Sequence, residues 1–230
     1  MHEPILRPGT KLRLVIFDCD GVLIDSEPIV NELVAVELTR LGWPMTASEC
    51  YARFLGLSLD DMVPLIEAAL GRSLPTGWPE SVVAEVVNAF QHRAPMIAGA
   101  KEVLSAVTAL GLPWRIASNS SHQEMEAKFG CNGLLPMVRG RLHSFTDVPR
   151  GKPFPDLFLA AAAAECVQPS ACLVVEDSVP GVRGAVAAGM QCLGYTPHGN
   201  GAALTAVGAI PLASLFDLPG ILRTAMQARA

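Results

Sequence analysis

The sequence predicts an α/β fold, a doubly wound parallel sheet that carries an inserted all-helical segment. Three observations predict it. Short apolar, partly β-branched runs that stop at charged or polar residues recur along the chain, the pattern of strands buried on both faces of a parallel sheet. Helical periodicity separates the later runs, which implies βαβ units. Between the first and second runs, from about Pro28 to about Ala94, the pattern is helical and holds no strand.

Taken in order, Leu12–Phe17 (Leu-Arg-Leu-Val-Ile-Phe) is the first strand. Four helices follow, at Ile29–Leu41, Ala47–Phe54, Leu59–Leu70 and Glu80–Phe90, punctuated by Pro44, Gly56, Gly71 with Pro75, and Pro95. A crossover between neighbouring strands normally takes one helix. A run of four is therefore expected to form a separate subdomain, residues 26–94, on linkers near Asp25–Pro28 and Arg93–Gly99. The core is then residues 1–25 and 95–230. It is predicted to alternate helix Ala100–Leu110, strand Trp114–Ala117, helices Gln123–Phe129 and Pro155–Cys166, strand Cys172–Val175, helix Val179–Ala188 and strand Cys192–Tyr195. A last strand at Ala209–Pro211 and a closing helix complete it.

The 230 residues, 50% hydrophobic, suffice for a sizeable core. A net charge of −5 argues against broad nucleic-acid or anionic-membrane binding, which needs clustered Lys and Arg. The apolar stretch at Leu157–Ala164 is closed by Glu165 and falls short of the roughly 20 residues of a membrane span. Met1–Lys11 has neither the long apolar region nor the small-residue cleavage site of a secretory signal. The six cysteines are scattered with no C-x-x-C pair and read as free buried thiols, so a reducing, cytoplasmic setting is expected.

The chemistry is expected where the first strand ends, because ligands of open α/β sheets bind beyond the carboxyl ends of strands. There the chain reads Asp18-Cys19-Asp20-Gly21-Val22-Leu23-Ile24-Asp25-Ser26-Glu27. Two carboxylates two residues apart on an extended backbone point to the same side, and together make a hard-oxygen cluster suited to Mg2+. Gly21 permits a tight turn whose amides can face a phosphate. A bare Asp-x-Asp is as often a helix cap or turn, but the full string is far more specific.

That string resembles the nucleophile motif of the haloacid dehalogenase-like superfamily. The three remaining motifs of that family have counterparts in the right order. Ile116-Ala117-Ser118-Asn119-Ser120 matches the hydroxyl motif at the end of the second strand, Gly151-Lys152-Pro153-Phe154-Pro155-Asp156 the lysine motif, and Val174-Val175-Glu176-Asp177-Ser178 the acidic pair. The resemblance spans nearly the whole chain and is nearest to the β-phosphoglucomutase and sugar-phosphate phosphatase branch, whose members carry a small helical cap between the first and second motifs.

The resemblance implies a Mg2+-dependent phosphatase acting on a small phosphorylated metabolite, a sugar phosphate or sugar-acid phosphate, through a phosphoaspartate. Asp18 would be the nucleophile and Asp20 the general acid and base. Asp18, Asp20 (through its backbone carbonyl), Asp177 and, through a water, Glu176 would hold the metal. Ser118, Asn119, Lys152 and Gly21 would bind the phosphoryl group, and Gly56, on a cap loop like that of 6-phosphogluconate phosphatases, the substrate. Where the mutases carry a cap His and Arg, this chain has Val30 and Leu59, so hydrolysis is favoured over isomerisation. A phosphosugar mutase is the alternative enzyme and an idle sugar-phosphate sensor the alternative outside enzymes. A monomer or weak homodimer is expected. Ser178 or Asp177 is expected to cap a helix, and Asp25-Ser26-Glu27 to cap and hinge the first cap helix. His122 is a secondary candidate for the cleft. His92, His143 and His198 read as structural or solvated, and Trp43, Trp78 and Trp114 as core or hinge packing.

Overall fold

The protein is described by a computed structural model covering residues 10–54, 57–199 and 201–227. Strand β1 (Leu14–Phe17) leads directly into four helices, α1 (Glu27–Arg40), α2 (Ala47–Phe54), α3 (Leu59–Leu70) and α4 (Trp78–His92). The chain continues through α5 (Ala100–Ala109), β2 (Trp114–Ser118), α6 (His122–Cys131), α7 (Leu135–Val138) and β3 (Leu142–Ser144). It then runs through α8 (Asp156–Ala164), β4 (Cys172–Glu176), α9 (Val179–Ala187) and β5 (Gln191–Tyr195). It closes with α10 (Ala202–Ala206), β6 (Ile210–Leu212) and α11 (Leu218–Gln227).

Among the described residues six strands form one parallel sheet, in the order β3-β2-β1-β4-β5-β6. The chain thus winds outward on one side of β1 and then returns to wind outward on the other. The switch point lies between β1 and β4, where such sheets bind ligands. Phe17 is in register with Ile116 on one side and Val175 on the other. The residues just past these positions therefore meet at one edge of the sheet.

Alternation along β1 explains why the sheet is covered on both faces. Val15 and Phe17 belong to a core shared with α5, α6, α11 and the inserted helices, whereas Leu14 and Ile16 pack under α8, α9 and α10. In the insert, α4 packs against α6 of the core. Trp78 and Trp114 are buried, and Trp43 meets Phe54 edge-on with ring centroids 6.2 Å apart.

The predicted strands and helices are all present, with ends shifted by a few residues. The three-residue strand β3 and the short helices α7 and α10 lie outside the sequence expectation; Leu-His-Ser is too short and too polar to show a period. Ser26 stands at the N-cap position of α1 but makes no side-chain cap, contrary to the expected role, because its hydroxyl is drawn to Asp20. Ser178, rather than Asp177, caps α9 by accepting from the Gly181 amide. Of the six cysteines, all free, Cys131 and Cys166 are exposed rather than buried. Both sit at or just past a helix C-terminus, where the chain returns to the surface.

Glycine positions test this packing. A Cβ on Gly181 would lie 1.7 Å from Glu176 Oε1, while one on Gly130 of α6 meets nothing within 4 Å. In urea unfolding, Gly181→Ala should destabilise the protein by about 1–3 kcal/mol through overpacking, and Gly130→Ala should stabilise it by up to about 1 kcal/mol. Equal effects of the two substitutions would contradict this packing.

Candidate active site

The carboxyl ends of β1, β2 and β4 and the start of α9 surround a cavity of about 240 Å³, lined by Asp18, Asp20, Ser118, Asn119, Ser120, Lys152, Ser178 and Pro180. Asp18 follows β1 directly and accepts from the Lys152 ammonium at 2.5 Å. The same ammonium donates to Glu176 Oε1 at 2.7 Å. Lys152 therefore ties β1 to β4. Its backbone is held in turn by Asn119, whose carboxamide accepts from the Lys152 N–H at 2.9 Å and donates to the Lys152 carbonyl at 3.1 Å. Glu176 is fully buried, and its other oxygen accepts from the amide and hydroxyl of Ser178, both at 2.8 Å.

The carboxylates of Asp18, Glu176 and Asp177 each bring an oxygen to within 4.8 Å of the others, the one such cluster among the described residues. Three buried or half-buried hard-oxygen donors fit a cation such as Mg2+. Gly21 serves this cluster by what it lacks: a Cβ there would lie 1.9 Å from Asp177 Oδ2, and its φ of +76° is one that side chains disfavour. Burial pushes the Asp18 carboxyl up to about 7. Lys152 opposes that rise, and Glu176 and Asp20 add to it. Burial likewise holds Asp177 well above the usual carboxylate range, with Glu176 and Asp18 contributing. Desolvation alone would lower the Lys152 ammonium, but Asp18 and Glu176 outweigh it and raise it.

The Asp20 side chain lines the same cavity as Asp18 but does not join that cluster, which corrects the expectation that the two aspartate carboxylates together make the hard-oxygen site. β1 ends at Phe17, and the backbone bends at Cys19 and turns at Gly21–Leu23 rather than staying extended. Asp20 Oδ1 accepts from Ser26 and, at 2.7 Å, from Lys128; Oδ2 accepts from Ser120 at 2.8 Å and Ser118 at 3.3 Å. Burial would raise this carboxyl, but Lys128 and the hydrogen bonds of Lys128, Ser26 and Ser120 hold it below the usual range. Burial lowers the Lys128 ammonium and Asp20 outweighs it, leaving it raised to about 12.

Asp18, Asp20, Ser118, Asn119 and Lys152 thus share one cavity, with Glu176 and Asp177 beside it. Gly56 lies outside the described residues. His122 pairs with Asp147 at 2.9 Å and does not line the cavity. Cys19 is buried, its thiol pushed up by burial. Val30 and Leu59 are half-buried against the apolar core.

Sequence reasoning missed Lys128, Ser120 and the side-chain role of Ser26. For Lys128 a signal existed. It sits at the i+3 position of the buried stripe Met125–Lys128–Phe129 of α6, where an apolar residue is the rule.

A family model described as haloacid dehalogenase-like hydrolase matches residues 12–189. The chain belongs to that family. Among its relatives, 6-phosphogluconate phosphatase of Escherichia coli K12 is 33% identical over 192 residues, covering 82% of this chain and 86% of the relative. Hexitol phosphatase B of the same organism is 30% identical over 180 residues, covering 77% and 81%. A HAD family hydrolase from Deinococcus radiodurans R1, solved with bound phosphate and sodium, superposes with a TM-score of 0.79 at 30% identity, covering 96% of this chain and all of that one.

The raised carboxyls of Asp18 and Asp177 make a measurable prediction. Without a cation, the folded protein holds protons that the unfolded chain releases, so stability falls as pH rises from the ordinary aspartate range toward 7. The lowered Asp20 and the raised lysines act outside that window, at lower and higher pH. A bound cation replaces those protons. Added Mg2+ should therefore raise Tm more at about pH 8 than at about pH 5, measured by scanning fluorimetry. An equal rise at both would contradict the assignment.

Proposed function

We propose that the protein is a Mg2+-dependent phosphoric monoester hydrolase acting on a small phosphorylated metabolite, a sugar phosphate or sugar-acid phosphate, through a phosphoaspartate on Asp18. The observation that carries this reading is the buried Lys152 ammonium bridging Asp18 and Glu176 at the mouth of the sheet's switch point. It leaves one carboxylate oxygen of Asp18 free for attack and a positive charge beside it.

In this reading Ser118, the Asn119 amide, Gly21 and Lys152 hold the phosphoryl oxygens. Asp18 attacks phosphorus, a bond forms from its carboxylate oxygen, and the ester P–O bond breaks. The negative charge of the bound phosphate favours the protonated form of Asp20, which gives its proton to the departing oxygen, so an alcohol leaves. Asp20 then takes a proton from the water that attacks the aspartyl phosphate, releasing inorganic phosphate and restoring Asp18. Mg2+, when bound by the Asp18 and Asp177 carboxylates and the Asp20 carbonyl, with Glu176 acting through a water, would offset the charge gathered on the phosphoryl group. The inserted segment, residues 26–94, is the cap that covers the cavity and excludes water.

The substrate class follows the relatives' names, a 6-phosphogluconate phosphatase and a hexitol phosphatase. Hydrolysis rather than isomerisation is favoured because Val30 and Leu59 turn apolar side chains into the core, where a mutase needs polar groups.

A panel of phosphorylated metabolites with Mg2+ present tests this. Release of phosphate from sugar phosphates or sugar-acid phosphates is expected, lost on chelation and abolished by Asp18→Asn in a protein that still folds. From glucose 1-phosphate, formation of glucose 6-phosphate in place of free phosphate would favour the mutase instead. No Mg2+-dependent activity on any ester would overturn the proposal.

A further inference from the structure

Lys128 is a buried charge that the scheme above leaves without a task. Its side chain is 2% exposed. The ammonium lies 2.7 Å from Asp20 Oδ1 and 2.9 Å from Ser120 Oγ, and Ser120 donates to Asp20 Oδ2 at 2.8 Å. Lysine, serine and carboxylate thus form a closed ring of contacts. Phe90, on the last inserted helix, lies over the ammonium with its ring centroid 4.7 Å away and shields the pair from water.

Packing does not require a charge at this place. Methionine would fill similar volume without the several kcal/mol needed to strip an ammonium of water. Among the described residues, the one carboxylate that Lys128 bonds is Asp20. The hydrogen bonds also treat the two oxygens of Asp20 differently. Oδ1 is taken by Lys128 and Ser26, whereas Oδ2 has one firm donor, Ser120, and a looser one, Ser118 at 3.3 Å. Oδ2 is therefore the oxygen left to exchange a proton.

We propose that Lys128 is a positioning residue for Asp20: it anchors Oδ1 so that Oδ2 meets first the leaving oxygen of the phosphate ester and then the attacking water. This rests on the reading of Asp20 as the proton carrier, and it extends the active machinery to α6 and, through Phe90, to the inserted helices.

Leaving-group chemistry tests it. Departure of an alkoxide needs a proton, whereas p-nitrophenolate leaves without one. A displaced proton carrier therefore slows alkyl esters selectively, while general damage to the fold slows both kinds alike. We would measure kcat/KM for p-nitrophenyl phosphate and for 6-phosphogluconate, or the fastest alkyl ester in the panel, in wild type, Asp20→Asn, Lys128→Met and Lys128→Gln. The ratio of the two constants on one preparation cancels the active fraction, so a partly folded variant is still informative. General acid catalysis contributes about 10²–10⁴-fold. The alkyl-to-aryl ratio should fall by about that much in Asp20→Asn and by about tenfold or more in both Lys128 variants. An unchanged or increased ratio in the Lys128 variants, with a fall in Asp20→Asn, overturns the role of Lys128 alone. No change in Asp20→Asn overturns the reading of Asp20 itself and this inference with it.

Discussion

Four acidic side chains at or beside the strand ends, Asp18, Asp20, Glu176 and Asp177, must coexist in a poorly hydrated space, and the rest of the site is arranged around that constraint. Like charges at this range cannot all stay ionised unless something offsets them. Lys152 answers on one side, with its ammonium between Asp18 and Glu176, and Lys128 on the other, paired to Asp20. Each lysine side chain is at most 4% exposed, so neither is an incidental surface charge. The oxygens of Asp18, Glu176 and Asp177 still gather within 4.8 Å of one another, a donor set that fits a divalent cation.

The scaffold supports this balance by removing obstacles as much as by supplying groups. The missing side chain of Gly21 makes room for Asp177, and that of Gly181 for Glu176. Asn119 fixes the backbone of Lys152, so the ammonium reaches its two acids from a held loop. Strand register brings the segments together: β1 lies between β2 and β4, and the residues following Phe17, Ile116 and Val175 converge. The inserted helices enter the chain immediately after the first motif. Ser26, at their start, and Phe90, near their end, both touch the surroundings of Asp20. Asp20 thus sits where the inserted helices meet the sheet.

Much of this was legible in the linear chain because the relevant signals are local. The buried strands announce themselves as apolar runs, the helices by their period, and the four chemical motifs by residue types clustered over a few positions. β3 was not legible, since three residues carry no period. The Ser26 hydroxyl bonds Asp20, six residues back, instead of the first turn of α1; the sequence does not announce this choice, because a serine ahead of a helix ordinarily bonds that turn.

The identities of the site groups, their places at strand ends and the insertion of helices between the first two strands are all properties of short segments, and the residue order was enough to set them. Which carboxylates share a cluster is not local. It depended on the folded chain, which brought Asp177, far along the sequence, beside Asp18 and gave the Asp20 carboxylate other partners. The partnership of Lys128 with Asp20, 108 residues apart, arose in the same way. A lysine in a helical stripe has no preferred partner until the folded chain removes its water and leaves one carboxylate within reach.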